Sequence, residues 1–143
     1  MIRQFSGEYR FLSNFYTSPF IKDGIFYLTV EHYYQSMKAK TIEERKKIAA
    51  ADTPGRAKRL GQNCDIREDW EDVKIDIMKQ GLELKFKYHP FLKRQLLATG
   101  NKILIEGNTW GDTFWGICNG TGRNVLGELL MEERDRLKNE IHN

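Results

Sequence analysis

Thr29-Val30-Glu31-His32-Tyr33-Tyr34-Gln35-Ser36-Met37-Lys38 marks the point where a short, aromatic, turn-punctuated stretch gives way to helical patterning. Thr29 reads as an N-cap, because its hydroxyl can accept one of the backbone N–H groups that the first turn of a helix leaves unpaired. Glu31, Gln35 and Lys38 then stand at i, i+4 and i+7, so a carboxylate, an amide and an amine share one face. Tyr34 lies on that face too. Taken alone, such a stripe is what a solvated helix surface looks like. Its company, an aromatic run before it and a Trp/Gly/Asp cluster late in the chain, is poorly explained as ordinary surface.

Upstream, Phe5, Tyr9, Phe11, Phe15, Tyr16, Phe20, Phe26 and Tyr27 alternate with turn residues, which suits short strands, and Asp23-Gly24 predicts a hairpin. Downstream the pattern is helical. Residues Ile42 to Ala51 read as an exposed helix supported by Glu43-Glu44 against Lys46-Lys47, packing through Ile42 and Ile48 to Ala50. Thr53-Pro54 starts a short helix, Pro54 to Leu60, with Gly61 as its stop. Ala57 and Leu60 face inward there, and Arg56, Lys58 and Arg59 face solvent or an anion.

Asp69 is placed to cap a long helix from Trp70 to about Tyr88, whose apolar residues Ile75, Met78, Leu82 and Phe86 recur at steps of three and four. Val73 and Ile77 widen that stripe, which predicts a central helix covered on more than one side. Gly81 within it costs about 1 kcal/mol relative to alanine, so close packing is expected there. His89-Pro90 separates this helix from the next, Phe91 to Ala98, ended by Thr99-Gly100. Ile103-Leu104-Ile105-Glu106 reads as a buried strand, residues 107–124 as a glycine-rich functional loop, and Val125 to about Glu140 as a last helix. Leu126, Leu130, Leu137 and Ile141 form the core edge of that helix, with Leu129 beside it. The expected fold is α+β and predominantly helical, a single domain spanning residues 1–143 with a few short N-terminal strands and one small buried strand.

The balance of 23 basic against 20 acidic residues, a formal charge of +3, is no footprint of a dedicated nucleic-acid binder, though it suits an anionic small molecule. Cys64 and Cys118 are far apart without zinc spacing and read as free thiols, so no metal is indicated. No apolar run approaches the ~18 residues that span a bilayer, and the first residues lack the apolar core of a signal peptide. A soluble, cytoplasmic protein without membrane attachment is expected. A nucleophile elbow, a Walker loop, a His-Glu-x-x-His zinc helix and a dinucleotide-binding glycine motif are all absent from the sequence.

The loop Asn108-Thr109-Trp110-Gly111-Asp112-Thr113-Phe114-Trp115-Gly116 sets one carboxylate between two indoles. Indoles stack on flat rings, and glycines let backbone approach a ligand; the other reading is a capped turn with Trp115 closing the core. With Phe11-Leu12-Ser13-Asn14-Phe15 and the Glu31/Gln35/Lys38 face, these residues could form a pocket for a planar heterocycle attached to a sugar. Cleaving the C–N bond between ribose and base passes through an oxocarbenium-like transition state, which needs a carboxylate near the anomeric carbon. Glu31 and Asp112 could supply two carboxylates. Lys38, if desolvated, could instead attack the open-chain sugar and form a Schiff base. Lys58 and Lys85 read either as snorkelling surface lysines or as phosphate contacts. Trp70 is a core anchor or a stacking residue. His32, His89 and His142 form no cluster, and His32 reads as structural.

Phe11-Leu12-Ser13-Asn14-Phe15, Glu31-His32-Tyr33-Tyr34-Gln35 with Lys38, Ala57-Lys58 with Gly61, Trp70 and Lys85-Phe86 resemble, in order and spacing, the NADAR domain family of YbiA-like N-glycosidases. Leu104-Ile105-Glu106, Asp112 with Phe114-Trp115-Gly116, and Asn124 with Leu126-Gly127 continue the resemblance, which runs from about Phe5 to Leu137. It implies hydrolysis of an N-glycosidic bond in a phosphorylated ribosyl compound, without cofactor or metal. Two substrate types are implied, ribosylamino-pyrimidine intermediates of riboflavin synthesis and ADP-ribose on a nucleobase such as guanine, free or carried on nucleic acid. Glu31 matches the family's principal acidic position, Lys38 the lysine that follows it, and Asp112 with Trp115 the late acidic and aromatic motif; Glu31, Lys38 and Asp112 are the expected catalytic residues. Asn14, Trp70 and Asn124 match substrate-lining positions; Phe15, Tyr34, Gln35, Lys58, Lys85 and Gly116 complete the expected substrate surroundings. Gln62 departs from the arginine common after this glycine in similar sequences. The competing readings are a module that binds ADP-ribose or a nucleotide without cleaving it, and a nucleic-acid binder using the basic residues between 38 and 60.

Overall fold

Asp23 and Gly24 both take positive φ, 52° and 79°, the backbone a two-residue hairpin turn needs to match the twist of its strands. They join β1 (Phe20–Lys22) to β2 (Ile25–Tyr27), paired antiparallel with Phe20 opposite Tyr27 and Ile21 opposite Phe26. One face of this ribbon is buried. Phe20 and Tyr27 pack on Tyr33, with ring centroids 5.6 and 5.1 Å from it, while Ile21 and Phe26 point outward. The computed structural model describes residues 1–142, the His142 side chain excepted. The chain divides into two compact units, Asn14–His89 and Met1–Ser13 with Pro90–Asn143.

In the first of these units Thr29 caps α1 (Val30–Lys38) as its sequence predicts, its hydroxyl accepting the His32 backbone N–H at 3.1 Å. α2 (Ile42–Ala49) and α3 (Pro54–Gln62) begin in the same way, at Thr41 and Thr53. α4 (Trp70–Tyr88) follows the predicted boundaries. Asp69, however, makes no side-chain cap; its carboxylate is held by Arg67 at 2.6 and 3.0 Å, and only its carbonyl serves the helix start.

The hub of this unit is α1, which packs against α2, α3 and α4; the wide stripe of α4 had pointed to α4 itself. Residues Val30 to Ser36 are all buried. The polar stripe on α1 is therefore interior, and a buried polar group needs a partner. His32 Nδ1 meets the Thr29 hydroxyl and Nε2 the Ala51 carbonyl, each at 2.9 Å, while Ser36 donates to Arg45 O at 2.8 Å and Tyr33 to Gln80 Oε1 at 3.1 Å. Gly81 of α4 sits against Tyr33 and Val30, the close approach its cost implied. Gly61 does not stop α3 but lies inside it. Ala39, Ile48 and Ala57 form a small core beneath α2 and α3; Ile42 and Ala50, expected in that packing, are exposed.

The other unit begins where strands were expected but a short 3₁₀ helix, Gly7–Leu12, forms, burying Phe11 and Leu12. Ile2 bridges Leu104 in parallel, and this single bridge, with Leu104 buried and Ile103 exposed, is all that stands in place of the predicted strand at residues 103–106. The regular pairing lies within the glycine-rich segment, where β3 (Gly107–Asn108) runs parallel to β4 (Ile117–Cys118). α5 (Pro90–Ala98) is capped from α6 (Val125–His142): Arg134 donates to Thr99 Oγ1 and Lys102 O, and Lys138 to Gly100 O and Asn101 Oδ1. Leu126, Leu129, Leu130 and Leu137 are buried as expected, but Ile141 is exposed beyond the packed length of α6.

The clamp of His32 onto α2's end makes stability depend on pH. Burial lowers the folded His32 below its usual 6.5. As the pH falls through 6.5 the unfolded chain takes the proton first, so stability is full above that value and declines until the lowered folded-state pKa is passed. Urea midpoints measured from about pH 8 down to about pH 5 are expected to fall more steeply for the parent than for His32→Gln. Parallel slopes would remove His32 from the acid response.

Candidate functional site

Glu31 stands in the first turn of α1 and is only 7% exposed. Its Oε1 accepts a hydrogen bond from Gln35 Nε2 at 2.9 Å, the i to i+4 contact that helical spacing provides. Its backbone N–H donates to Asn14 O at 3.1 Å, so the Ser13-Asn14 turn is tied to the start of the same helix. The Asn14 side chain is buried too: Nδ2 points at Met78 Sδ at 3.3 Å, and Oδ1 has no hydrogen-bond partner among the described residues. Tyr34, one turn after Glu31, packs its ring on Trp70 with centroids 5.0 Å apart. Asn14, Glu31 and Gln35 are thus linked by hydrogen bonds, and Tyr34, on the same helix, carries the contact to Trp70 in the same unit.

Gln35 Oε1 is likewise buried without a partner, and it lies over Gly61, where any Cβ would overlap it. Lys85, on the buried side of α4, is wholly enclosed rather than snorkelling to the surface. Its Nζ lies 5.9 Å from the Tyr16 ring centroid and 5.4 Å from that of Phe86. Burial drives this amine down to about 7, so it exchanges a proton near neutrality. Lys38 ends α1 half-buried, Lys58 is half-buried on α3, and Phe15 is 45% exposed.

The late-motif residues belong to the other unit. Asp112 Oδ1 accepts the backbone N–H groups of Phe114 and Trp115 at 3.1 and 2.9 Å, the capped turn that was one of two readings of this loop. Asn108 ties the loop down, donating to Asp112 O at 2.8 Å and accepting from its N–H at 3.0 Å. Trp115 is half-buried with its ring edge-on to Phe114 at 4.8 Å, and Trp110 is exposed. Asn124, at φ 54°, uses Oδ1 for the Glu106 N–H and Nδ2 for Leu104 O, both at 2.9 Å, which fastens residues 104–106 to the start of α6.

Glu106 is the carboxylate that sequence reasoning passes over, as the end of an apolar run. Its Oε2 accepts from Asn108 Nδ2 at 3.1 Å and lies over Gly116, whose missing Cβ gives it room. Its sequence signals are a glutamate closing Leu104-Ile105-Glu106 ahead of a glycine-rich segment and the place of that stretch in the family resemblance. The described residues hold no group of three or more His, Cys, Asp or Glu arranged for a metal ion, and no helix among them is long and apolar enough to cross a membrane.

A model of the NADAR domain family matches residues 2–138. The N-glycosidase YbiA of Shigella flexneri serotype 5b is 40% identical over 135 residues, which is 92% of this chain and 84% of that protein. The riboflavin biosynthesis protein VVA0006 of Vibrio vulnificus is 36% identical over 131 residues, 90% of this chain but 35% of that longer protein. The NMR structure of Escherichia coli YbiA matches with a TM-score of 0.88 and 36% identity, over 99% of this chain and 86% of that one. Mostly helical with a few short strands, similar to an N-glycosidase in both sequence and fold, and matched by the family along nearly its whole length, the chain belongs to the NADAR domain family and is an N-glycosidase of the YbiA-like kind.

Proposed function

We propose that the protein hydrolyses the C–N glycosidic bond of a phosphorylated ribosyl compound, with Glu31 acting on the attacking water. The observation that carries this reading is the buried Glu31 carboxylate, held by Gln35 at 2.9 Å one turn from the Tyr34–Trp70 aromatic pair. In the step, Glu31 takes a proton from water as the water oxygen bonds the anomeric carbon. The C–N bond breaks with its electron pair staying on the base nitrogen, and that nitrogen takes a proton. Negative charge at Glu31 also favours the oxocarbenium-like transition state.

Lys85 suits the delivery of the base's proton, because an amine at about 7 is present in both forms near neutral pH. Lys38 acts as an electrostatic partner at the end of α1. Asp112 assists at the sugar or leaving base through Oδ2, since Oδ1 is engaged in its turn. Trp115 stacks on the base. Between the two substrate types, similarity to a riboflavin biosynthesis protein supports the ribosylamino-pyrimidine. An ADP-ribosylated guanine is the second type.

Product release from a phosphoribosylamino-pyrimidine and from an ADP-ribosylated guanine oligonucleotide, measured side by side, tests the reading. The pyrimidine is expected to be cut, and Glu31→Ala is expected to lower kcat by at least about 100-fold with the fold intact. Near-parental turnover in that variant would overturn the role of Glu31, and ADP-ribose binding without cleavage of either compound would favour a reader module. Borohydride added during turnover is expected to leave the protein mass unchanged; a sugar adduct on Lys38 or Lys85 would replace water attack by a Schiff base.

Lys85→Met is expected to raise the urea midpoint while lowering kcat, because the parent bears the cost of enclosing an ionisable amine. Above 10.5 the lysine is neutral in both states; below it the unfolded chain protonates first, so the parent loses stability down to about pH 7. The stability gap between variant and parent should widen over that interval. A variant that is less stable than the parent at both ends would contradict the assignment.

A further inference from the structure

Gly61 lies inside α3 and takes no left-handed backbone angle, so the helix itself does not require glycine there. Gln35 buries its carbonyl oxygen without a hydrogen-bond partner, which the fold would be expected to avoid. The two oddities are one feature. A Cβ at Gly61 would overlap Gln35 Oε1 and stand 3.0 Å from Cδ and 3.1 Å from Cβ of the same side chain, so the absent side chain is the slot in which the carboxamide lies. With its oxygen turned to that slot, the amide can only present its N–H₂ end to Glu31, and the 2.9 Å bond to Oε1 follows. The opposite amide orientation would set two oxygens against each other while Glu31 is ionised.

We propose that Gly61 and Gln35 are positioning residues for Glu31: the slot on α3 fixes the Gln35 carboxamide, and the carboxamide fixes the direction of the Glu31 carboxylate. The inference rests on Glu31 being the carboxylate that acts on substrate. It gives α3 a part in the reaction although Gly61 touches no reacting atom. A methyl group at position 61 must displace the carboxamide, since the nearest atoms are those of Gln35 and not of a mobile surface chain. Glu31 then keeps its charge and loses its aim.

The test measures kcat, KM and the pH profile of kcat/KM on the phosphoribosylamino-pyrimidine and the ADP-ribosylated guanine oligonucleotide for Gly61→Ala, Gln35→Ala, their double variant and Glu31→Ala. Gly61→Ala is expected to lower kcat about 10- to 100-fold with KM within about twofold, because misaim acts on the reacting geometry more than on binding. The double variant should be no slower than Gln35→Ala, since removing the carboxamide makes room for the methyl, and the acidic limb of the Gln35→Ala profile should move to higher pH as the carboxylate loses its donor. In ¹⁵N spectra of the ligand-free protein, the Gln35 side-chain NH₂ signals should move in both Gly61→Ala and Glu31→Ala. Should Gly61→Ala not fold, Gln35→Met, which fills the same space without an amide, must give the same kcat loss and profile shift. Parental kcat and unmoved Gln35 signals in Gly61→Ala, or additive losses in the double variant, overturn the positioning role while leaving Glu31 in place. Parental turnover in Glu31→Ala would instead overturn the functional reading itself.

Discussion

Seven consecutive residues of α1, Val30 to Ser36, are withdrawn from water, and four of them are polar. This constraint organises the unit around it, because each withdrawn polar group must be met by a partner or left at a cost of about 1–3 kcal/mol. Thr29 answers twice, capping the helix through its oxygen and facing His32 Nδ1. His32 passes the link to Ala51, at the end of α2, and Ser36 reaches Arg45 within α2. The position of α2 is thus set by hydrogen bonds of α1 as much as by the small Ala39, Ile48 and Ala57 core beneath it. Glu31 and Gln35 answer each other, and the Gln35 oxygen is what remains unanswered.

A different economy governs α4. Lys85 falls on the same side as Leu82 and Phe86, where the helical period calls for an apolar residue. A lysine on such a face ordinarily extends its amine past the apolar stem into water. Here it is fully enclosed, and the cost of enclosure appears as an amine that gives up its proton near neutrality. Local rules that a fold breaks at a cost cluster where the chain does chemistry. Lys85 and the Glu31/Gln35 pair break them within one unit.

What could be read in the sequence was what local geometry decides. Thr29 and Thr53 cap helices because the hydroxyl, the first turn and nothing else are involved; Asp23-Gly24 makes its hairpin for the same reason. The limits of α4 follow from its period and from Pro90. Gly61 misled because a helix stop and a packing slot both call for glycine, and only the neighbouring helix distinguishes them. Asp69 had a closer competitor in Arg67 than in the helix start. The strand expected at residues 103–106 became a single bridge, since Ile2 offers it one paired position and Asn124 takes the next backbone groups. Asp112 was legible as a functional or a capping residue, and its contacts supply the cap; the burial of Lys85 depended on packing that no period reveals.

The arrangement of carboxylate, carboxamide and glycine occurs twice in the chain, as Glu31 with Gln35 over Gly61 and as Glu106 with Asn108, where Gly116 lies beneath the carboxylate itself. The two are built from different elements, a helix pair in one unit and a strand-and-turn segment in the other, so a common local motif does not explain the repetition. Chemistry offers a reason. An amide donor gives a carboxylate direction through a hydrogen bond while carrying no charge of its own. Glycine is the residue that permits such close seating, since every other side chain occupies the space the oxygen needs. At positions 61 and 116 the missing side chain leaves the space that the Gln35 and Glu106 oxygens occupy.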